Sequence, residues 1–220
     1  RFSVAPGNKL VLATNNDNAY RTAIDWHNAG REVVAVVDSR YSPNGDLVKK
    51  TESMGIKIYD GHGLIEAKGS KRVKSALIAP LSIDGTEVIG AVRRLACDLI
   101  ATSGGWSAAI HLSSHTGAKP VWDEEIVSFR PGESKQQECS VGACKGTFDL
   151  HDGLVEGAIG GARAAHCAGF GDGTVKTSLP NVMQVGERPQ QALFLVPHTK
   201  PTSRAPVSYT HLRAHETACY

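Results

Sequence analysis

The stretch from Lys9 to Asp38 constrains the fold of this 220-residue chain more than any other. Lys9 to Thr14 (KLVLAT) is a short, apolar, β-rich run that begins after Pro6-Gly7-Asn8. Asn15-Asn16-Asp17-Asn18 follow, four residues that favour turns and helix caps. Ala19 to Ala29 then carries Ala19, Ala23, Ile24 and Trp26 at helical spacing, with Gly30 as the stop. Glu32 to Asp38 (EVVAVVD) is continuously apolar before its final Asp, as a strand covered on both faces must be. Strand, polar turn, helix and strand within about 30 residues make one βαβ unit.

The pattern continues in the same vein. A helix is expected over Gly45 to Met54, stopped by Gly55, and a short strand over Ile56 to Tyr59. Two β segments follow, near Leu64 to Lys68 and Val73 to Pro80. Asp84-Gly85 signals a hairpin leading to a strand near Glu87 to Val92. Cys97 to Thr102 (CDLIAT) reads as a returning buried strand, and Ser107 as the cap of a short helix ending near Leu112. Beyond Val121 the character changes: Phe129 to Glu138 reads as a polar loop, and Ser140 to Gly146 as a glycine-bearing turn. Leu154 to Ala168 is rich in Gly and Ala, with Gly157, Gly160 and Gly161 weakening a helix. The expected fold class is therefore α/β: a Rossmann-like dinucleotide-binding domain of three layers, with a parallel sheet and an antiparallel β excursion.

Composition removes other classes. Lys+Arg 24 against Asp+Glu 22 leave a net charge of +2, too balanced for a dedicated nucleic-acid or acidic-lipid surface. Hydrophobic residues at 41% and charged ones at 21% are ordinary globular values. No apolar run of about 18 residues exists to span a membrane, and the opening RFSVAPGNKL carries no apolar signal core. Arg1 in place of Met suggests that the sequence starts inside a longer reading frame. Val207 to Thr217 matches, residue for residue, one translated frame of a common transposase sequencing adapter. Residues 207–220 are therefore expected to be adapter-derived and are set aside. Cys97, Cys139, Cys144 and Cys167 remain, with no C-x-x-C pair to suggest zinc or dithiol chemistry. The histidines lack an H-E-x-x-H motif and read as surface or satisfied core positions, and no metal ligands are assigned.

Two segments could carry chemistry. A dinucleotide site places a pyrophosphate at a helix N-terminus and gives a ribose hydroxyl to an acid about 20 residues on. Asp38 supplies the acid, 24 positions after Thr14. The glycine fingerprint is replaced by Thr14-Asn15-Asn16-Asp17, whose side chains crowd and repel a phosphate. Two readings stand: a degraded phosphate site around Thr14 and Asn15, or a structural unit that binds nothing at this turn. The second segment is Ala101-Thr102-Ser103-Gly104-Gly105-Trp106, which resembles the A-T-G return of flavin enzymes with two dinucleotide domains. There the backbone crosses close beside a cofactor; a tight strand-to-helix turn is the plain alternative.

Particular residues go further. Val11-Leu12-Ala13-Thr14-Asn15-Asn16-Asp17, with Ala19-Tyr20-Arg21-Thr22-Ala23, closely resembles a segment of the α subunits of heterotetrameric sarcosine oxidases. So do Cys97-Asp98-Leu99-Ile100 with Ser103-Gly104-Gly105-Trp106, Gly146-Thr147-Phe148-Asp149-Leu150, and Lys200-Pro201-Thr202-Ser203-Arg204-Ala205-Pro206. The resemblance implies a fragment of a longer subunit. It implies an inner NAD(P)-type domain over 1–96, the return segment of an outer FAD/NAD(P)-binding-type domain over 97–180, and a linker over 181–206 toward an aminomethyltransferase-like domain.

It also implies NAD on this subunit, FAD and FMN elsewhere in the complex, tetrahydrofolate on the missing C-terminal domain, and β, γ and δ partner subunits in the cytoplasm. Nucleic acid and membrane are not expected partners. The residues toward NAD are then Ser103, Gly104, Gly105, Gly142 and Ala143, with Thr14, Asn15 and Asp38 at the βαβ turn. No catalytic residue is expected in the chain. This sequence departs from flavin enzymes of this architecture at Gly142-Ala143-Cys144-Lys145-Gly146, where they carry a Gly-Asp; the missing acid argues against FAD here. A dehydrogenase subunit acting on proline, hydroxyproline or opines is the runner-up. A non-enzymatic nucleotide-binding module is a third reading.

Overall fold

The computed structural model describes residues 4–182, 191–193 and 196–198. Most of the linker expected over 181–206, and all of 207–220, lie outside the described residues. Two compact units divide between Gly105 and Trp106, and the described residues from 191 on belong with the first.

In the first unit, β1 (Lys9–Thr14), α1 (Asn18–Asn28), β2 (Glu32–Asp38), α2 (Asp46–Ser53) and β3 (Ile58–Tyr59) alternate as the apolar runs require. Then β4 (His62–Gly69), β5 (Val73–Pro80) and β6 (Arg93–Ala96) form an antiparallel sheet, and β7 (Leu99–Ser103) returns to the parallel one. The parallel order is β3-β2-β1-β7. After three strands laid outward from β1, the chain crosses back to β1's other side, so the order reverses between β1 and β7. In open α/β sheets that reversal is where ligands bind, outside the carboxyl ends of the strands.

Strand periodicity divides the core into two faces. Leu10, Leu12 and Val36 meet Ala19, Tyr20 and Ala23 of α1 and Val48 of α2. Val11, Ala13 and Val37 point the other way, onto Ala76 and Ile78 of β5 and onto Cys97. β1 is thus covered on both sides, and each such buried aliphatic side chain contributes about 1.5–3 kcal/mol. Helices, parallel sheet and antiparallel sheet make the three layers.

The second unit holds α3 (His111–His115), a hairpin of β8 (Val121–Asp123) and β9 (Ser128–Arg130), a 3-10 turn at Gly142–Cys144, and α4 (Leu150–Cys167). Trp122 stacks edge-on to Phe129 across the hairpin, centroids 5.2 Å apart.

Four expectations need correction. No strand forms over Glu87 to Val92; only a bridge joins Leu81 and Val88, and regular pairing resumes at Arg93 opposite Ile78. Pro80 has no N–H for the ladder, and Gly90 lies against its ring, where a Cβ would come within 2.5 Å. The helix expected after Ser107 begins only at His111, because the Ala108 N–H donates to Ser128 Oγ instead of opening a turn. Phe129 and Arg130, expected in a loop, pair with Trp122 and Val121. The Gly/Ala-rich helix starts earlier, at Leu150, because Asp149 Oδ1 accepts from the N–H groups of His151 and Asp152 and caps it.

Candidate functional site

The parallel register brings three strand ends to one edge. Thr14, the last residue of β1, lies opposite Asp38 on one side and Ser103 on the other. Thr14, Asn15, Asp38, Ser103, Gly104 and Gly105 therefore gather at the carboxyl edge of the sheet, as the βαβ reading requires. Gly142 and Ala143 belong to the other unit.

Internal hydrogen bonds take up the polar groups of the β1–α1 turn. The Asn16 N–H donates to Thr14 Oγ1 at 3.1 Å, and Thr14 Oγ1 donates to the Asn16 carbonyl at 3.0 Å. Asn16 Oδ1 accepts from the Asn18 N–H at 3.1 Å, so a side chain occupies the position at the start of α1 that a phosphate takes in a dinucleotide site. Asn16 Nδ2 reaches both the carbonyl and Oγ of Ser103 at 3.2 Å and ties the end of β1 to the end of β7. The Asp17 carboxylate adds negative charge at the same turn.

Asp38 is fully buried. Its Oδ2 accepts from Tyr20 Oη at 2.7 Å and from an Arg40 guanidinium nitrogen at 2.7 Å. Its Oδ1 accepts from the Arg40 N–H and Nε, both at 3.0 Å. Arg40 spans to Asp17 Oδ1 at 2.7 Å, joining the end of β2 to the β1–α1 turn. A ribose hydroxyl reaching Asp38 has to displace Tyr20 or Arg40 first. Burial pushes the Tyr20 phenol above its ordinary range, and the Asp38 charge and hydrogen bond push it further. Ser39 Oγ is buried beside this network with no hydrogen-bond partner among the described residues.

At the 103–105 turn Gly104 is exposed, while Ser103 and Gly105 on either side are half-buried. Gly105 has φ +93°, a backbone state that favours glycine. Gly104 faces no protein atom: a Cβ built there meets nothing within 4 Å. Packing within the described chain does not demand glycine at 104, so close approach of a ligand to the backbone is a sufficient reason for it. The backbone at Gly104 is thus open among the described residues, whereas at 14–18 and 38–40 the chain's own side chains take up the polar groups of the turn.

In the second unit, Gly142 opens the 3-10 turn at φ +61°. Its N–H donates to Glu156 Oε2 at 2.9 Å, while Lys145 Nζ and Thr147 Oγ1 donate to Glu156 Oε1 at 3.0 Å. Glu156 of α4 thus supplies the anion at this turn. Burial alone raises its carboxyl, but the Gly142, Lys145 and Thr147 donors hold it below its ordinary 4.5.

One His/Cys/Asp/Glu group among the described residues has its ligand atoms within 4.8 Å of one another: Asp149, His151 and Asp152. It sits at the α4 N-terminus, where the helix dipole disfavours a cation, and Asp149 Oδ1 is used as the cap. His111 and His115 stand one helical turn apart on α3, an H-x-x-x-H spacing.

Sequence reasoning reached Asp38 and the 103–105 turn but missed Asn16, Arg40, Tyr20 and Glu156. Arg40 had a signal: a cation two residues past an Asp that ends a strand, where an Asx-type turn brings its backbone N–H and side chain back onto the carboxylate. Glu156, fourteen residues from Gly142 with a helix start between them, had none.

The order β3-β2-β1-β7, an antiparallel sheet on one face and a glycine return at the switch edge define an α/β fold of the Rossmann-like dinucleotide-binding type. No protein-family model matches the chain. It is 31% identical over 198 residues to the sarcosine oxidase subunit alpha of Corynebacterium sp. (strain P-1), covering 89% of this chain and 20% of that protein. It is 35% identical over 161 residues to the same subunit of Rhizobium meliloti (strain 1021), covering 72% and 15%. Similar solved structures include LpdA from Mycobacterium tuberculosis (TM-score 0.48, 15% identity, 76% of this chain and 36% of that one). The L-proline dehydrogenase of P. horikoshii is another (TM-score 0.45, 14% identity, 77% and 28%). Over most of its length the chain is thus similar to one part of the sarcosine oxidase α subunits, and it spans about a fifth of the length of the Corynebacterium relative.

Proposed function

We propose that this chain is the nucleotide-binding-fold portion of a sarcosine oxidase α subunit, serving as scaffold and NAD holder in a cytoplasmic complex with β, γ and δ subunits. The reading rests on 31% identity sustained over 89% of the chain. The complex would convert sarcosine, O2 and tetrahydrofolate to glycine, hydrogen peroxide and methylenetetrahydrofolate, with FAD and FMN on the partner subunit and at the interface supplying the oxidation. Tetrahydrofolate would be handled by a downstream domain.

Within this chain, Ser103, Gly104 and Gly105 are the proposed NAD contacts of the first unit, and Gly142 and Ala143 those of the second. At Gly104 the backbone is open, so a nucleotide can approach without moving a side chain. The Gly142 N–H already serves Glu156, so any contact there would be made by other atoms of the turn. No group here is assigned to bond-making or bond-breaking.

The test is purification of the intact subunit with its partners, followed by assay of bound NAD and of sarcosine oxidation. The wild type should carry NAD and oxidise sarcosine. Gly104→Leu should lower NAD affinity at least ~10-fold, about 1.4 kcal/mol, and change the melting temperature little, because a Cβ at this position meets nothing within 4 Å among the described residues. An intact complex that neither holds NAD nor oxidises sarcosine refutes the reading. A clustered-cysteine domain encoded downstream would move the assignment to an amino-acid dehydrogenase.

A further inference from the structure

We propose that the switch-point crevice of the first unit is self-occupied: the chain's own residues fill the positions of a dinucleotide, and the segment at Gln191 straps it shut. This goes beyond the NAD reading above, which shares only Ser103 with this crevice and otherwise places the cofactor at other residues.

Three substitutions of protein for ligand are visible. Asn16 Oδ1 takes the Asn18 N–H at the start of α1, where a phosphate oxygen would accept. The Arg40 guanidinium lies between Asp38 and Asp17, in the space an adenosine ribose spans between the β2 end and the first turn. Asn16 Nδ2, bonded to Ser103 across β1 and β7, crosses the line along which the strand order reverses.

The strap covers the result. The Gln191 N–H donates to the Asn15 carbonyl at 3.1 Å, and Asn15 Nδ2 donates to the Gln191 carbonyl at 2.8 Å. This two-way pairing joins positions 176 residues apart at the residue that follows β1. The Gln191 amide oxygen is itself buried. Farther along, Leu193 packs on the face of Gly85, and Val196, 2% exposed, enters a core cluster with Ile65, Ala79 and Leu81. The segment is held at a polar point on the crevice and an apolar point on the antiparallel sheet. A nucleotide entering this crevice has to break the first, and the second opposes its release.

Hydrogen exchange on the full-length protein, with and without saturating NAD or AMP, tests this directly. Amides of 14–18 and 38–40 should exchange at the same rate with and without nucleotide. Slower exchange there on adding NAD or AMP overturns the proposal, whereas protection confined to other residues, or absent throughout, agrees with it. Absence throughout would at the same time remove the NAD reading, so the two failures are distinguishable. Val196→Asp should detach the strap and speed exchange at 14–18 at least ~10-fold while β2 stays protected. Val196→Ala, which keeps the site apolar if the charge prevents folding, should show a smaller increase at the same amides. Exchange at 14–18 that is unchanged in a folded Val196 variant overturns the strap.

Discussion

At the scale of single residues, Arg40 carries the most. Its guanidinium is the counter-ion of a fully buried Asp38 and the partner of Asp17, and its own side chain is only 14% exposed. Removing one partner of a buried pair leaves a charge that can be neither solvated nor matched, at a cost of about 3–5 kcal/mol. Arg40→Ala should destabilise the first unit by about that much in denaturant titration. Tyr20→Phe should cost less, about 1–2 kcal/mol, since Arg40 still serves Asp38. Its pH dependence is more informative. The Tyr20 phenol ionises near 10 when unfolded and higher in the fold, so its stabilising effect is whole below pH 10 and is lost as pH rises from there toward the raised value. Wild-type stability measured from pH 9 to 11 should therefore fall more steeply than that of Tyr20→Phe.

At the scale of elements, the second unit depends on a carboxylate where the first depends on a guanidinium. Glu156 ties α4 to the turn at 142–147 through a backbone N–H, an ammonium and a hydroxyl. A carboxyl held below its ordinary 4.5 stabilises the fold above that pH, and the effect is lost as pH falls through the lowered value. Protection factors over 142–147, corrected for the intrinsic exchange rate, should therefore fall on acidification below about pH 4. Glu156→Gln, which keeps the shape but not the charge, should abolish that acid response and raise exchange ~10-fold at neutral pH, as for loss of about 1–1.5 kcal/mol. An unaltered acid response in this variant would mean that another group holds the turn.

At the scale of the whole molecule, the apolar side chains are unevenly shared. The three buried hydrophobic clusters lie in the first unit. The described α4 has no buried residue, and Leu150 and Ile159 on it are exposed. Regions with few buried apolar contacts open at low free-energy cost. In hydrogen exchange on the 220-residue chain, α4 amides should exchange at least ~100-fold faster than those of β1 and β2, a difference of about 2.7 kcal/mol. Equal protection would mean that α4 is held by contacts beyond its own unit. No helix among the described residues is long and apolar enough to cross a membrane.

Local physics made much of this legible without coordinates. The continuous apolar runs KLVLAT and EVVAVVD, the Asn-rich turn between strand and helix, and Gly30 and Gly55 as stops gave β1, α1, β2 and α2 within a residue or two at each end. Those signals act over a few residues, and so does the strand-end position of Asp38. The glycine pair after the returning strand also marked 103–105 in the sequence as a turn, and Gly104 is open there. What Asp38 does was decided only by the tertiary structure. Whether a carboxylate meets a ribose or an arginine depends on which groups the fold delivers to it, here Tyr20 from α1 and Arg40 from the next loop. The closing of the crevice belongs there too, since Gln191 reaches Asn15 only after the entire intervening chain has folded between them. Short-range preference sets the elements, and which groups become neighbours at their ends is set by packing.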